Sequence, residues 1–199
     1  MKSSDNEIKN WENRYQTGDT PWEKGHAAPP LADFLKQNHV SGKILAIGCG
    51  SGNDVRALSV QGTEVVGIDF TPSAIQRARS VSPVGKETYI QADLFDLPSH
   101  FKESFDWVFE HTCFCAMPVV QRPDYARIIS DVLKDDGRFL AIFYINPDHD
   151  DGPPFRVSKK ELNDLFGPYF KLEKEWVPTS SYPGREGREL MCVFKKEVC

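Results

Sequence analysis

Apolar positions follow two different rhythms along this chain. Near the start, Ile8, Trp11 and Tyr15 are spaced i, i+3, i+7, which predicts one face of a helix over residues 5–16. Residues 17–22 (TGDTPW) are turn-rich, and Pro29-Pro30 opens a second helical pattern running to Gln37. From Lys43 the rhythm changes. Ile44-Leu45-Ala46-Ile47 is an unbroken apolar run, as a strand buried on both faces requires. Further strands are predicted at 64–68, 88–92, 105–109 and 138–144, with helices between them at 55–61, 71–80 and 123–134. This alternation implies a parallel sheet with helices on both faces. The ending breaks the alternation. A helix at 158–166, with Ser158 and Glu161 spaced for a capping box, precedes strands at 171–177 and 189–195. Those two strands have no helix between them and predict an antiparallel hairpin at the sheet edge. The expected fold is thus α/β, with a mostly parallel seven-stranded sheet in a single domain. Within it, residues 1–40 form an N-terminal helical lid and residues 41–199 the core.

Composition narrows the partners. The 199 residues are 40% hydrophobic and 27% charged, as in globular proteins, with a net charge of -5. A negative surface repels phosphate backbones, so nucleic acid is not expected as a substrate. No window holds the ~20 apolar residues of a membrane span, and residues 1–8 lack the apolar region of a secretion signal. Cys49, Cys113, Cys115, Cys192 and Cys199 are irregularly spaced, which reads as reduced thiols. A cytoplasmic monomer or weak dimer acting on a small molecule is expected.

In an open parallel sheet, ligands bind beyond the carboxyl ends of the strands. Four stretches fall there. Gly48-Cys49-Gly50-Ser51-Gly52 follows the first strand, and glycines such as Gly48 and Gly50 permit a tight turn and close approach to a cofactor. A dinucleotide fingerprint needs glycine at position 53, where this chain has Asn53. Asn53 or Asp54 reads as the cap of the next helix. Asp69 closes the second strand, where a carboxylate can accept both hydroxyl protons of a ribose; alternatively, it caps the helix that follows. Phe70 can stack on an adenine or fill the core. At the end of the third strand, Asp93 suits an adenine amino group and Leu94 its face, or Asp93 only caps a turn. Glu110-His111 ends the fourth strand and should face the reactive end of the cofactor, although a histidine in such a place is often a surface residue.

These features bring a family into view. WENRYQTGDTPW (11–22), the glycine loop, FDWVFEHTCFCAMPVVQRPDY (105–125) and DGPPFRV (151–157) resemble the thiopurine S-methyltransferase family, including its plant thiol and halide enzymes. With the matching order of elements, the resemblance covers nearly the whole chain. It implies a Rossmann-like class I methyltransferase fold and S-adenosylmethionine as methyl donor. It also implies that Trp11, Tyr15 and Trp22 cover the donor, that Asp69 holds the ribose, and that Asp93 and Leu94 hold the adenine. Arg122 matches a family arginine on the acceptor side. His111 stands where the animal enzymes have arginine and the plant halide enzymes tyrosine, so the acceptor is left open. The aromatics suit a sulfonium cation electrostatically, or they simply pack the helix on the core.

The expected reaction is methyl transfer to a small thiol sulfur: a thiopurine, an aromatic thiol, thiocyanate or sulfide. Halide or chalcogen oxyanion methylation is a close alternative. A nucleotide-binding oxidoreductase and a non-catalytic donor-binding protein are the rivals from other classes. His111 is the candidate catalytic residue, orienting a thiol or taking its proton; Glu110 is placed beside the donor, and Tyr144 at the end of the fifth strand either lines the acceptor pocket or packs in the core. No metal is expected: Cys113-Phe114-Cys115 lacks a second pair of ligands, and residues 148–151 (DHDD) lack the spacing of a calcium loop. Arg185 and Arg188 lie on a polar loop, either solvated or reaching for an anionic acceptor.

Overall fold

The computed structural model describes residues 3–60, 62–148 and 151–197. Seven strands form one sheet: β1 Lys43–Ile47, β2 Glu64–Asp69, β3 Lys86–Gln91, β4 Phe105–His111, β5 Leu133–Tyr144, β6 Phe170–Trp176 and β7 Glu189–Lys196. Their order is β3-β2-β1-β4-β5-β7-β6. The first five strands are mutually parallel, and β7 runs antiparallel between β5 and β6. The apolar run Leu190–Phe194 places β7 inside the sheet, buried along that length. The charged alternation of β6 leaves it mostly exposed at the edge.

Helices cover both faces: α1 Asp5–Thr17, α2 Pro29–Gln37, α3 Asn53–Ser59, α4 Pro72–Ser80, α5 Arg122–Val132 and α6 Lys159–Phe166. Strand residues alternate between two cores. On one side Leu45, Val66, Val108 and Phe139 pack with Tyr125 and Ile129 of α5 and with Leu162 and Phe166 of α6. On the other side Ile44, Val65, Phe109 and Leu140 pack with Leu31 of α2 and with Val55 and Leu58 of α3.

Several boundaries differ from the sequence expectation. The helix expected to reach residue 134 stops at Val132, because Leu133 already pairs with Phe105 of β4. β3 starts at Lys86, in register with Glu64. The helix after the glycine loop begins at Asn53 behind Gly52, whose φ of 80° serves as its N-cap; neither Asn53 nor Asp54 caps it. The expected end of that helix at Gln61 lies outside the described residues. Ser158 accepts the Glu161 N–H at 3.1 Å, as a capping box requires, but the Glu161 carboxylate goes to Arg122 instead. A reciprocal box exists at α1, between Ser4 and Glu7. The segment expected as one lid also divides. Leu31, Phe34 and Val40 belong to the core, whereas α1 buries only Tyr15.

The ring of Phe166 has no exposed surface and lies within 6.3 Å, centroid to centroid, of Phe114, Tyr125, Phe139, Phe143, Phe170 and Phe194. Phe166→Ala is expected to lower unfolding free energy by about 3–5 kcal/mol. Urea denaturation of both proteins measures this, and a loss below about 1 kcal/mol would mean that the site collapses around the cavity.

Candidate active site

β1 and β4 are neighbours whose following helices pack on opposite faces of the sheet, so a crevice opens beyond their carboxyl ends. It forms a cleft of about 370 Å³, lined by the glycine loop, the ends of β2, β3 and β4, α1, and the loop before β7.

The glycine loop needs glycine at two positions for reasons visible in its packing. Gly48 has φ 56°, and a Cβ there would lie 2.8 Å from Cys113 Sγ. Gly50 has φ 53°, and its Cβ would lie 2.7 Å from Glu23 Oε1. Asp69 stands beside this loop. Its Oδ2 accepts the Gly50 N–H at 3.0 Å and its Oδ1 the Thr71 N–H at 2.9 Å. With the Thr71 side chain also bonded to it, the carboxylate keeps acceptor capacity for a further donor. Burial raises the pKa of this carboxyl, partly offset by the Thr71 and Gly50 hydrogen bonds. Thr71, not Asp69, is the N-cap of α4.

Phe70 lies half-buried on the cleft wall, outside both cores. Leu94 is buried and reaches both the core and the cleft. Asp93 does cap a turn, accepting the Phe95 N–H at 3.0 Å, and it also receives the N–H and hydroxyl of Ser3 at 2.8 and 3.0 Å.

The three N-terminal aromatics meet over the cleft. The rings of Trp11 and Trp22 are edge to face at 5.0 Å, and Trp22 Nε1 donates to the Tyr15 hydroxyl at 3.2 Å. One face of Trp22 carries the Arg14 guanidinium at 4.4 Å. α1 is fastened to α4: Glu12 accepts the Ser73 N–H at 3.0 Å, and Arg77 donates to the Tyr15 carbonyl. Burial opposes ionisation of Glu12, but the Ser73 hydrogen bonds outweigh it and lower its pKa.

His111 sits in a compact network of charges. Its Nδ1 is 2.9 Å from Asp54 Oδ2, and its Nε2 is 3.5 Å from Glu189 Oε1 and 3.2 Å from Arg185 Nη1. A neutral ring could accept from Arg185, whereas an imidazolium donates an N–H hydrogen bond towards each carboxylate. The two carboxylates decide for the imidazolium. Burial pulls the pKa down, but the Asp54 and Glu189 hydrogen bonds and the Asp54 charge outweigh it and push it up to about 9. Glu189 in turn has its carboxyl held low: burial opposes ionisation and the His111 hydrogen bond and charge overcome it. The Arg185 guanidinium, held by Glu189 at 3.3 Å, lies over Tyr144 at 5.3 Å and Tyr182 at 5.6 Å. Tyr144, Tyr182 and Arg185 all line the cleft.

Two residues expected at the site turn away from it. Glu110 is fully buried and does not line the cleft. Its Oε2 accepts the Cys113 and Phe114 N–H groups, each at 3.0 Å, and so holds the loop beneath the acceptor space. Burial pushes its pKa up to about 7 against these hydrogen bonds. It therefore supports the loop rather than touching the donor. Arg122 has 1% of its side chain exposed and pairs with Glu161 at 2.5 Å while stacking over Phe114. It braces α5 against α6 and does not line the cleft. Conversely, the sequence reading missed Glu23 and Glu189 and gave Asp54 a capping role. The one signal available was the four-residue interval from Arg185 to Glu189.

Cys113, Cys115 and Met117 line the cleft. Burial raises the pKa of both cysteines, so they are thiols at neutral pH. Among the described residues, no group of three or more His, Cys, Asp or Glu is placed to hold a metal ion. Of the acidic stretch 148–151, His149 and Asp150 lie outside the described residues, and Asp148 pairs with Arg188.

Comparison with known proteins identifies the family of the chain and its fold. The family model for thiopurine S-methyltransferase matches residues 6–190. Thiocyanate methyltransferase 1 of Brassica oleracea is 33% identical over 192 residues, 94% of this chain and 84% of that one. A probable thiol methyltransferase 2 of Arabidopsis thaliana is 31% identical over 170 residues, 83% and 74% of the two chains. Among solved structures, the 1,6-didemethyltoxoflavin-N1-methyltransferase of Burkholderia thailandensis, with bound S-adenosylhomocysteine, superposes with a TM-score of 0.74. It is 20% identical, and the match covers 96% of this chain and 87% of that one. It shares the fold, the Rossmann-like class I methyltransferase architecture.

The His111 geometry has a measurable consequence. Its folded pKa of about 9 exceeds the ordinary 6.5, so its contribution to stability is complete below 6.5 and fades as pH rises through 9. An NMR titration of the ring protons should show a midpoint near 9. A midpoint at or below 6.5 would mean that the ring is neutral and free to act as a base.

Proposed function

We propose, from the premise that this chain belongs to the thiopurine S-methyltransferase family and is a methyltransferase using S-adenosylmethionine, that its acceptor is a small sulfur nucleophile reacting as an anion. The observation that carries this reading is the charge on the acceptor side: a protonated His111 and Arg185 beside Cys113, Cys115 and Met117. A histidine already protonated takes no proton from an acceptor. A thiolate, thiocyanate or hydrosulfide needs none taken, and it is drawn to a half-buried cationic face. The earlier expectation of His111 as a base for a neutral thiol is replaced by a role in attraction and alignment. Alignment is what an in-line displacement chiefly requires. Iodide would meet the same face, and a thiopurine or aromatic thiol would add contact with Tyr144 and Tyr182.

The donor side fits its ligand. The spare acceptor sites of Asp69 suit ribose hydroxyls, and Phe70, Leu94 and Asp93 surround a place for the adenine. Gly48 and Gly50 leave room for the amino-acid end, and Trp11, Tyr15 and Trp22 close the top and keep water out. When bound, S-adenosylmethionine supplies an electrophilic methyl group on its sulfonium. We assign the chain to the cytoplasm as one domain, monomeric or weakly dimeric, with a small-molecule acceptor and no nucleic-acid substrate. The free thiols of Cys49, Cys113, Cys115 and Cys192 and the net charge of -5 support this. Among the described residues, no helix is long and apolar enough to cross a membrane.

Two measurements test these assignments. Asp69→Ala should weaken S-adenosylhomocysteine binding by about 1.5–3 kcal/mol in calorimetry, the worth of a charge-assisted pair. Unchanged affinity in the folded variant would remove Asp69 from the ribose site. A methylation screen over thiocyanate, sulfide, iodide, thiopurines and thiols of graded pKa should give the highest kcat/KM with sulfur acceptors ionised at the assay pH. Arg185→Met should raise KM for thiocyanate more than for a neutral thiol. No turnover with any acceptor would favour a donor-binding protein without catalysis.

A further inference from the structure

We infer that Glu23 is the carboxylate that receives the α-ammonium group of the donor's methionine portion, and that it thereby fastens the N-terminal cover to the glycine loop. This rests on the donor reading above and names a contact it lacks. Glu23 follows Trp22 and lines the cleft. Its Oε1 accepts the Ser51 N–H at 3.0 Å and the Tyr15 hydroxyl at 3.2 Å, and its Oε2 accepts the Ser51 hydroxyl. All of these donors are neutral, so the carboxylate's charge has no cationic counterpart among the described residues. Oε2 retains an acceptor site.

The other carboxylates on the cleft wall are differently committed. Asp54 gives one oxygen to the Ala28 N–H at 2.7 Å and the other to the His111 cation. Asp93 lies at the end of β3 on the adenine side, and Asp69 at the end of β2 beside the ribose. Glu7 closes the capping box of α1. The amino-acid end must extend from Asp69 away from Asp93, towards β1 and β4. Glu23 lies in that direction: its charge is felt at Asp69 and at Tyr182, which stacks on His111 at the end of β4. A half-buried carboxylate without a counter-charge, pressed against Gly50, is the partner that an ammonium group needs.

Glu23→Gln tests this, because the amide keeps an oxygen for the Ser51 N–H and the Tyr15 hydroxyl and removes the charge, while the Ser51 hydroxyl can turn to accept from the new NH2 group. Calorimetry compares two ligands: S-adenosylhomocysteine, which carries the amino acid, and 5′-methylthioadenosine, which lacks it. The variant should bind S-adenosylhomocysteine roughly 10- to 100-fold more weakly and 5′-methylthioadenosine within about twofold of the unaltered protein. Equal loss for both ligands would make Glu23 only a clasp for the cover, and no loss for either would remove it from the site; both outcomes overturn the inference. If the unaltered protein binds neither ligand, the donor reading itself fails, and that result is distinct from the other two.

Discussion

The cleft depends on one carboxylate. Asp54, in the first turn of α3, gives one oxygen to the Ala28 backbone ahead of α2 and the other to His111 at the end of β4. Three separate stretches of chain therefore meet at a single side chain. Buried charges are tolerated only when paired, and here the pairing continues from Asp54 to His111, to Glu189 and to Arg185. Two negative and two positive groups balance within a small volume. Removing any one leaves its neighbours uncompensated, so the four act as a unit that holds His111 protonated and lays Arg185 over Tyr144 and Tyr182.

The cleft is also polarised. Beside the glycine loop and the ends of β2 and β3 stand the carboxylates of Glu23, Asp69 and Asp93. At the end of β4 stand His111 and Arg185, paired with Asp54 and Glu189, with the thiols of Cys113 and Cys115 alongside. The glycine loop and the end of β4 mark the boundary between the halves. On the function proposed above, a cationic donor and an anionic acceptor would be drawn to different sides of the cleft.

The N-terminal cover and the core have different footings. α2 is part of the packed interior, through Leu31 and Phe34. α1 buries one side chain and is otherwise held by polar contacts: Glu12 with Ser73, Arg77 with the Tyr15 carbonyl, and Ser3 with Asp93. Elements with few buried apolar contacts open at low free-energy cost. Motion of α1 can therefore admit ligands while the sheet stays intact.

The sequence by itself determined the sheet and which residues stand at its strand ends. Unbroken apolar runs mark strands buried on both faces. The glycine loop and Asp69 sit at strand ends that local periodicity already locates. The helix-free ending also announced the antiparallel pair, although only strand pairing shows β7 entering the sheet beside β5. What tertiary structure alone decided was the state and direction of the polar side chains. Glu110 turns beneath its own loop, because two N–H groups wait there. Arg122 meets Glu161 39 residues away, and His111 meets Asp54 57 residues away. Periodicity reports which face of an element a residue occupies. A side chain's charge and orientation depend on partners that only the folded chain brings within hydrogen-bonding distance.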